Sequence, residues 1–513
     1  MTNRKKTSLS IKKICRTMLA VLLLLACGCA GMNDYSAGKI RAEYRQSSSF
    51  AAESPHTGVH AAPQPDQPPV FADSLPDFPL TLQQSLATAL ANNPDLQQTK
   101  HRMSRAKAMR ELAESAFWPT IGFYTEYMQG DSPSAHLFKT IDQRKLQQNA
   151  DFNEPGWFEN YETGIKARMN LFNGGRDLLN HRMAKKSVSI RKLDHRSVKN
   201  ELQARVIAGF YDVLAARKFV RIAKDSVETV SRQLRIKQVQ HKGGSVLESD
   251  VLSLKARQAR AKEDLIKSRN RLKLARASLA SLLGLDPSRL AEKQNLLDAG
   301  SRLSLQLPQT YEEGIIYALA HRPELQKVRK QLIKSRMGLD AAKARYLPRL
   351  DLTGKYYMDD PDMDYSTERE NWTAALVLNW DLFSGFATGA RVDQADAMVE
   401  EMLAADRRAT LDVQLDVKNA YLEREAARGR YEAAESAAES AEASYRMVKA
   451  HYRGGSATIT RYLEAELARR RARVRKTAAF YDKIKAEAGL ARALGRWAGR
   501  NPQLSKNDGA HEK

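Results

Sequence analysis

Three aspartates at alternate positions form the first group of residues whose spacing could bind a ligand. Asp360, Asp362 and Asp364 have the spacing that opens a calcium-binding loop, in which carboxylates supply oxygen ligands. Tyr365 stands where such a loop needs glycine, and Asn371 stands where it needs glutamate. We therefore interpret this stretch as a solvated acidic loop, and we predict neither a bound metal nor another cofactor.

Catalytic side chains are the second kind of chemistry to consider. The sequence has no histidine pair at a zinc-binding spacing, no phosphate-binding loop and no nucleophile elbow. His241 and His451 lie at the two equivalent tips, each near a Gly-Gly turn, where a lone histidine is usually a solvated surface residue. We expect the protein not to be an enzyme.

A third candidate for chemistry is Cys27, at the end of the N-terminal segment. Residues 1–26 predict a secretory signal, because a basic stretch precedes an apolar run too short to anchor a protein in a bilayer. The run ends in Leu24-Leu25-Ala26-Cys27, which resembles the lipobox of bacterial lipoproteins, where the cysteine is lipid-modified and becomes the mature N-terminus. Cys29 is a competing acceptor, although Gly28 fits a lipobox less well.

The charge of the chain leaves several classes of partner open. A formal net charge of +23 suits nucleic acid, an anionic membrane or solvated helix faces. A basic coiled coil that binds nucleic acid is therefore an alternative function. The export signal and the membrane-length strands described below argue against it.

The longest regular pattern begins at Arg176 and ends at Gly284, and it predicts two long helices joined by a turn at Lys242-Gly243-Gly244-Ser245. No proline occurs from Arg176 to His241, so a rod of roughly 100 Å is allowed. Apolar or small residues recur at alternating spacings of four and three, which is typical of a coiled-coil seam. They are Leu202, Val206, Gly209, Val213, Ala216, Val220, Ala223, Val227, Val230 and Leu234, with Leu265, Leu272 and Leu279 on the returning arm.

The whole stretch occurs a second time. Several marks recur at one constant displacement: Phe172, Phe210, Gly243-Gly244 and Leu283-Gly284 become Phe383, Tyr421, Gly454-Gly455 and Leu494-Gly495. Upstream, Asn92-Asn93-Pro94 recurs at a slightly larger displacement as His321-Arg322-Pro323. Such agreement indicates an internal duplication. The second seam uses smaller residues: Val413, Val417, Ala420, Ala427, Tyr431, Ala434, Ala438, Ala441 and Tyr445.

Each repeat also carries two strands that are long enough to cross a bilayer. From Tyr161 to Leu171 apolar residues alternate with polar residues or glycine, and Trp372 to Trp380 alternates less strictly. Residues 121–128 and 350–357 are their predicted hairpin partners, and we expect polar loops at 129–160 and 358–371. Aromatic residues at strand ends suit membrane interfaces: Trp118, Phe172, Trp372 and Trp380.

With this order of elements, the chain resembles the TolC-like outer-membrane factors of tripartite exporters, in their lipoprotein branch. The resemblance covers roughly residues 80–496 and includes a proline-ended helix before each hairpin and both Leu-Gly closures. The family's tip signature has two counterparts here: His241-Lys242-Gly243-Gly244 with Asp250-Val251-Leu252, and Tyr452-Arg453-Gly454-Gly455 with Arg461-Tyr462-Leu463.

The resemblance implies a membrane α+β fold: a homotrimer whose twelve-stranded transmembrane β-barrel, four strands per chain, continues into a periplasmic α-helical coiled-coil barrel. It implies a passive outer-membrane conduit for efflux or secretion, joined by a periplasmic adaptor to an inner-membrane pump of RND or ABC type. The conduit of a type I protein secretion system is the alternative. Lipid-facing residues would include Ile165, Ala167, Met169, Leu376 and Leu378; Glu162, Lys166, Arg168, Asp351 and Lys355 would face a wet lumen.

The domain boundaries follow from these marks. We predict a signal at 1–26, a lipid-anchored arm at 27–79, repeats at 80–287 and 311–496, a linker at 288–310 and a polar tail at 497–513.

The resemblance also assigns roles to residues at the helical tips. Adaptor docking would involve Gly243, Gly244, Ser245, Gly454, Gly455 and Ser456. Asp250 and Arg461 are equivalent in the two repeats and could pair between neighbouring hairpins, where the family usually keeps two acids. At the periplasmic entrance, Arg446 and Lys449 stand where relatives carry an acidic ring, and Glu442 is the nearest acid. This predicts an entrance that is less cation-selective, unless Arg446 and Lys449 face helices or solvent.

Overall fold

The computed structural model describes residues 80–147, 151, 153–287, 305–364 and 366–498. All of them belong to Phe71–Lys513, the second of the two units into which the chain divides. The predicted signal and arm, including Cys27 and Cys29, lie outside the described residues. In the described part of the chain, no helix is both long and apolar enough to cross a membrane.

The first repeat opens with two helices separated by a single residue, Asn93. Thr81 caps the first helix through reciprocal hydrogen bonds with Gln84. The Asn93 side chain accepts hydrogen bonds from two backbone N–H groups and caps the second helix, whose first residue is Pro94. The elements are α1 (Leu82–Asn92), α2 (Pro94–Glu114), β1 (Thr120–Gly130), α3 (Pro133–Asp142), β2 (Phe158–Phe172), α4 (Arg176–Lys242) and α5 (Glu248–Leu282).

The second repeat has the same order of elements except for α3. They are α6 (Tyr311–His321), α7 (Pro323–Lys343), β3 (Arg349–Asp360), β4 (Glu370–Asn379), α8 (Ala387–Arg453) and α9 (Ile459–Ala493). The outgoing helices α4 and α8 are each 67 residues long, and the returning helices α5 and α9 are each 35. These equal lengths confirm the predicted duplication.

Helix α3 corrects the sequence analysis, which predicted only a polar loop at residues 129–160. Pro133 is the first residue of α3, a position whose backbone N–H would have no partner within the helix. Ten residues are too few to show a helical period clearly, and short helices need tertiary contacts to be stable.

The four strands form one antiparallel sheet in the order β1-β2-β3-β4. The two predicted hairpins are therefore joined through β2 and β3, which pair from Tyr161–Asp360 to Phe172–Leu350. Strands β1 and β4 each have a neighbour on one side only within the described chain.

The core lies where α1 meets the middle of α4 and the end of α5. The predicted seam is confirmed there, because Val206, Val213 and Leu279 are buried. A second apolar cluster closer to the tips joins the two repeats: Val230, Leu234, Val251, Leu254, Tyr445, Ile459 and Tyr462.

A polar tie fastens the break between the two short helices to the end of the return helix in both repeats. In the first repeat, the Asn93 side chain donates to the Leu282 carbonyl at 3.0 Å. In the second, the equivalent Arg322 donates to the Ala493 carbonyl at 2.8 Å. Different side chains thus make the same connection.

Arg322 also belongs to an ion-pair network. Its guanidinium lies 2.6 Å from a carboxylate oxygen of Asp416, which also accepts from Arg492 at 2.7 Å. Burial alone would raise the pKa of Asp416, but the hydrogen bonds from Arg492 and Arg322 hold that pKa below its ordinary value. The network links α7, α8 and α9.

Residues just outside the second predicted repeat also pack on the core. The predicted polar tail begins with Trp497, which is 1% exposed and whose backbone N–H donates to the Asn200 side chain. The predicted linker ends with residues that pack on the core: Leu307 is buried, and Pro308 accepts a hydrogen bond from Tyr421. Large apolar side chains at the edges of a repeat are buried even without a regular period around them.

Candidate functional site

The sheet has one apolar face and one polar face, as the alternation predicted. Residues that pair directly across strands share a face, and the register places Lys166 opposite Lys355 and Met169 opposite Leu352. The predicted polar set shares one face: Glu162, Lys166, Arg168, Asp351 and Lys355. The predicted apolar set shares the other: Ile165, Ala167, Met169, Leu376 and Leu378.

None of the residues that the structure describes covers the apolar face. Trp372 at a strand end is 74% exposed, and Leu376 and Leu378 are also largely exposed. A contiguous apolar face of this kind needs lipid or another protein surface to cover it.

Charged groups on the polar face are paired. Glu162 accepts hydrogen bonds from Lys139 at 2.8 Å and from Lys355 at 2.6 Å. Asp351 lies 2.8 Å from Arg349 and 3.4 Å from Arg168. This polar face is therefore held together by ion pairs rather than by apolar packing.

Helix α3 lies on this polar face. Lys139 Nζ is 2.8 Å from both Glu162 and the fully buried Asp359. Burial disfavours the charged form of Lys139, but the hydrogen bonds to Asp359 and Glu162 outweigh it and raise the pKa of Lys139. Gln143, directly after the helix, donates to the Asn160 side chain at 2.9 Å. These residues carry no sequence pattern that predicts their role, and Pro133 is the one local signal for the helix.

The predicted tips are confirmed as tight turns, and both are exposed. Gly244 and its equivalent Gly455 have φ angles of 75° and 78°, which glycine adopts without strain. The hydroxyls of Ser245 and Ser456 donate to backbone carbonyls of the preceding helix at 3.0 and 3.2 Å. The serines therefore help to close the turns.

Each tip histidine makes a polar contact within its own tip. His241 Nδ1 lies 2.9 Å from the Val246 carbonyl, and His451 Nδ1 lies 3.1 Å from Ser456 Oγ. Among the residues that the structure describes, no group of histidine, cysteine and acidic side chains has metal-binding geometry. Asp360, from the calcium-like stretch, accepts hydrogen bonds from the N–H groups of Asp362 and Asp364.

Of the predicted entrance residues, Glu442 lies against α9. The Glu442 carboxylate lies 3.3 Å from Arg473 and 3.7 Å from Arg469, and Arg446, 77% exposed, is 4.0 Å away. The charge of Glu442 is therefore offset within its own chain. Lys449 lies over the ring of Tyr445, with its amine 5.8 Å from the centroid.

The predicted pair occupies matching places. Asp250 lies in the first turn of α5, and Arg461 in the first turn of α9. A contact between neighbouring hairpins stays a prediction; additive effects of Asp250→Ala and Arg461→Ala on channel conductance would contradict it.

Polar contacts between the two hairpins also went unpredicted. Buried Glu466 on α9 accepts from Ser226 on α4 at 2.9 Å and lies 3.5 Å from Arg257 on α5. Burial and the neighbouring Tyr445 hydroxyl raise the pKa of Tyr462. The tips are thus held together by buried polar groups as well as by the apolar cluster.

Comparisons with known proteins match these features. The family model described as outer membrane efflux protein matches residues 86–285 and 315–496. The chain is 26% identical over 332 residues to the alkaline protease secretion protein AprF of Pseudomonas aeruginosa, which covers 63% of this chain and 65% of AprF. It is 22% identical over 429 residues to the pyoverdine export outer membrane protein OpmQ of the same species, over 82% of this chain and 87% of OpmQ.

A solved structure shares the fold. The Campylobacter jejuni CmeC outer membrane channel superposes with a TM-score of 0.71, at 18% identity, over 83% of this chain and 88% of that chain. This likeness covers the four strands and the long helices together.

Proposed function

The chain belongs to the outer membrane efflux protein family and is an outer-membrane channel with a periplasmic helical extension, not an enzyme; from this premise we propose that three copies form one passive conduit. The observation that carries the proposal is the two-faced sheet, whose outer strands β1 and β4 have no second partner strand among the described residues. Unpaired strand edges in lipid leave backbone groups without partners, so a sheet in a bilayer has to close into a barrel.

Association of copies follows from the same physics. Four strands are too few to close alone, whereas three sheets joined edge to edge give a twelve-stranded barrel with its apolar face toward lipid. Exposed leucines along α8 supply a matching surface on the helical part: Leu411, Leu415 and Leu422. We expect the purified protein to be a trimer by native mass spectrometry and to conduct ions in planar bilayers; a monomer without conductance would contradict the proposal.

A periplasmic adaptor, linked to an inner-membrane pump, is the proposed partner of the tips. Both tips are exposed, and each presents two glycines and a serine to solvent. We expect the double variant Ser245→Trp, Ser456→Trp to lose adaptor crosslinking and most export of a fluorescent dye while the trimer persists. Bulky rings would block close approach of another helical hairpin to the turn.

Its control is the double variant Ser245→Ala, Ser456→Ala. It removes the same hydroxyl bonds to the preceding helix but adds no bulk. Each exposed hydroxyl bond contributes only about 1 kcal/mol, so the alanine variant should export normally. Normal export by the tryptophan variant would rule out docking at the tips.

At the entrance, we propose a mouth without a net acidic ring. The support is that three arginines of its own chain, Arg446, Arg469 and Arg473, lie close enough to offset the charge of Glu442. A ring of like charge in a narrow pore enriches the opposite ion. We expect reversal potentials under a salt gradient to show weak cation selectivity that rises in Arg446→Ala and Lys449→Ala. Strong cation selectivity, unchanged in both variants, would contradict this.

We also propose that Cys27 carries the lipid anchor, on the strength of Leu24-Leu25-Ala26-Cys27. Mass spectrometry of the mature N-terminal peptide is expected to find acylated Cys27. An unmodified peptide, or cleavage beyond Cys29, would refute it.

Efflux of small molecules is the cargo class that we propose, as in the named export role of OpmQ. Secretion of a protein is the second candidate, favoured by the similarity to AprF. Comparing the secreted proteins and the dye accumulation of a strain that lacks this channel separates the two.

A further inference from the structure

A cavity of about 890 Å³ lies where the sheet meets the helices, and five arginines line it. We name them the arginine cluster: Arg168, Arg176, Arg345, Arg349 and Arg391. We propose that this cluster is a binding site for anionic groups on the conduction path and that it favours cargo bearing carboxylate, phosphate or sulfate. The proposal rests on the proposed function, because it needs a conduit through which cargo passes.

The cavity is continuous with the polar face of the sheet. Thr120 and Arg168 both line it and pair directly across β1 and β2. Arg349 and Arg168 both contact Asp351, which belongs to the same face. If that face lines the lumen, the cluster lies in the lumen at the junction of strands and helices.

The cluster has an excess of positive charge. Asp351 is shared by two of the arginines, and Asp177 is the acidic residue among those that line the cavity. Among the described residues, no ion pair involves Arg176, Arg345 or Arg391; the Arg176 Nε–H instead donates to the Asn173 carbonyl at 3.0 Å. Arg345 and Arg391 are exposed to the cavity.

Two further features strengthen the positive potential. The N-terminus of the 67-residue α4 begins at Arg176 on the cavity wall, and the positive end of its dipole adds to the field. Three copies around one axis would bring three such clusters into one lumen, where low-dielectric walls concentrate counter-ions.

The duplication shows that the fold does not require these arginines. At the equivalent places in the other repeat stand neutral residues: Asn379 for Arg168, Ala387 for Arg176, Ala116 for Arg345, Thr120 for Arg349 and Asn180 for Arg391. Ala116, Thr120 and Asn180 line the same cavity. The same backbone therefore forms with alanine, threonine or asparagine at these sites. The contribution specific to the arginines is their positive charge.

Arginine fits the proposed ligand class. Its guanidinium presents several N–H donors in a planar fork that matches carboxylate and phosphate oxygens, often two at a time. Exposed arginines in a wide cavity bind anions weakly, which conduction requires because cargo has to leave as well as enter.

The experiment uses the purified full-length channel in planar bilayers, with citrate as the anionic probe. The test variant is Arg345→Gln with Arg391→Gln, and the charge-preserving control is Arg345→Lys with Arg391→Lys. We expect the glutamine variant to lower the chloride-to-potassium permeability ratio at least about twofold and to abolish inhibition of the potassium chloride current by millimolar citrate. The lysine variant should retain the wild-type permeability ratio.

A gain-of-function variant completes the test. Ala116→Arg with Asn180→Arg adds arginines at the equivalent positions of the first repeat, in the same cavity, and should raise the chloride-to-potassium ratio. A conducting channel whose permeability ratio and citrate response do not change in the glutamine variant would overturn the inference and leave the proposed function intact. A wild-type protein without conductance would instead overturn the proposed function.

Discussion

Alanine at Gly284 is expected to destabilise the folded protein strongly, whereas alanine at the equivalent Gly495 should destabilise it much less. Both glycines end a return helix with positive φ, 73° and 74°. A Cβ at Gly284 would lie 2.4 Å from the Asn92 carbonyl oxygen, but at Gly495 the nearest atoms, in His321 and Arg322, are 3.4 Å away. Backbone atoms of Asn92 cannot move aside without disturbing the polar tie of Asn93.

The expected energies separate the two variants. The left-handed conformation disfavours alanine by about 1–2 kcal/mol at either site. Overpacking adds about 1–3 kcal/mol at Gly284 alone. Gly284→Ala should therefore lower the melting temperature of the purified protein much more than Gly495→Ala does.

Gly244→Ala is a further control, because Gly244 has a φ of 75° and no atom within 4 Å of its added Cβ. This variant measures the free-energy cost of the left-handed backbone conformation without the cost of a steric clash. Equal losses of stability at Gly284 and Gly495 would show that the close approach to Asn92 is not what decides the effect.

Replacement of Lys139 by alanine is expected to release α3 from the polar face of the sheet and to increase single-channel conductance. An α-helix is about 10 Å across with its side chains, so three copies of α3 would fill much of a barrel lumen. Without Lys139, Asp359 and Glu162 lose a shared cation that lies 2.8 Å from each. Removing one partner of a buried ion pair lowers the stability of the folded state by about 3–5 kcal/mol.

The matched control is Lys145→Ala in the same loop. Lys145 pairs with Asp362 at 3.2 Å, but both side chains are largely exposed, so the pair contributes about 0–1 kcal/mol. Conductance should stay at the wild-type level in this variant. A Lys139→Ala trimer of normal stability and unchanged conductance would show that α3 does not obstruct the conduit.

Local periodicity explains why much of the fold could be predicted. Alternation over the strands and the seven-residue seam over α4 are properties of neighbouring residues, and each directly sets which face is buried. The turns followed from paired glycines. Because of the duplication, most predicted elements occur twice in the sequence. Gly454-Gly455, for example, supported the turn predicted at Gly243-Gly244.

The missing parts depend on contacts between distant segments. Trp497 looked like the start of a tail, because nothing nearby shows that Asn200 accepts its backbone N–H. Glu442 looked free to set an entrance field, but Arg469 and Arg473 approach it from another helix. The arginine cluster likewise comes from several separate elements, none of which is unusually basic by itself.

The two polar ties each close within one repeat, whereas a third connection spans both. The tie from Asn93 to Leu282 lies wholly within the first repeat, so that repeat can fasten its hairpin while the second is still being translocated. Asn200 on α4 instead donates to the Arg492 carbonyl and accepts from the Trp497 N–H, both at the end of the second repeat. Such distant pairings form late and slowly, because a long loop must close first. Residues at the end of the second repeat thus lock α4 of the first repeat in place.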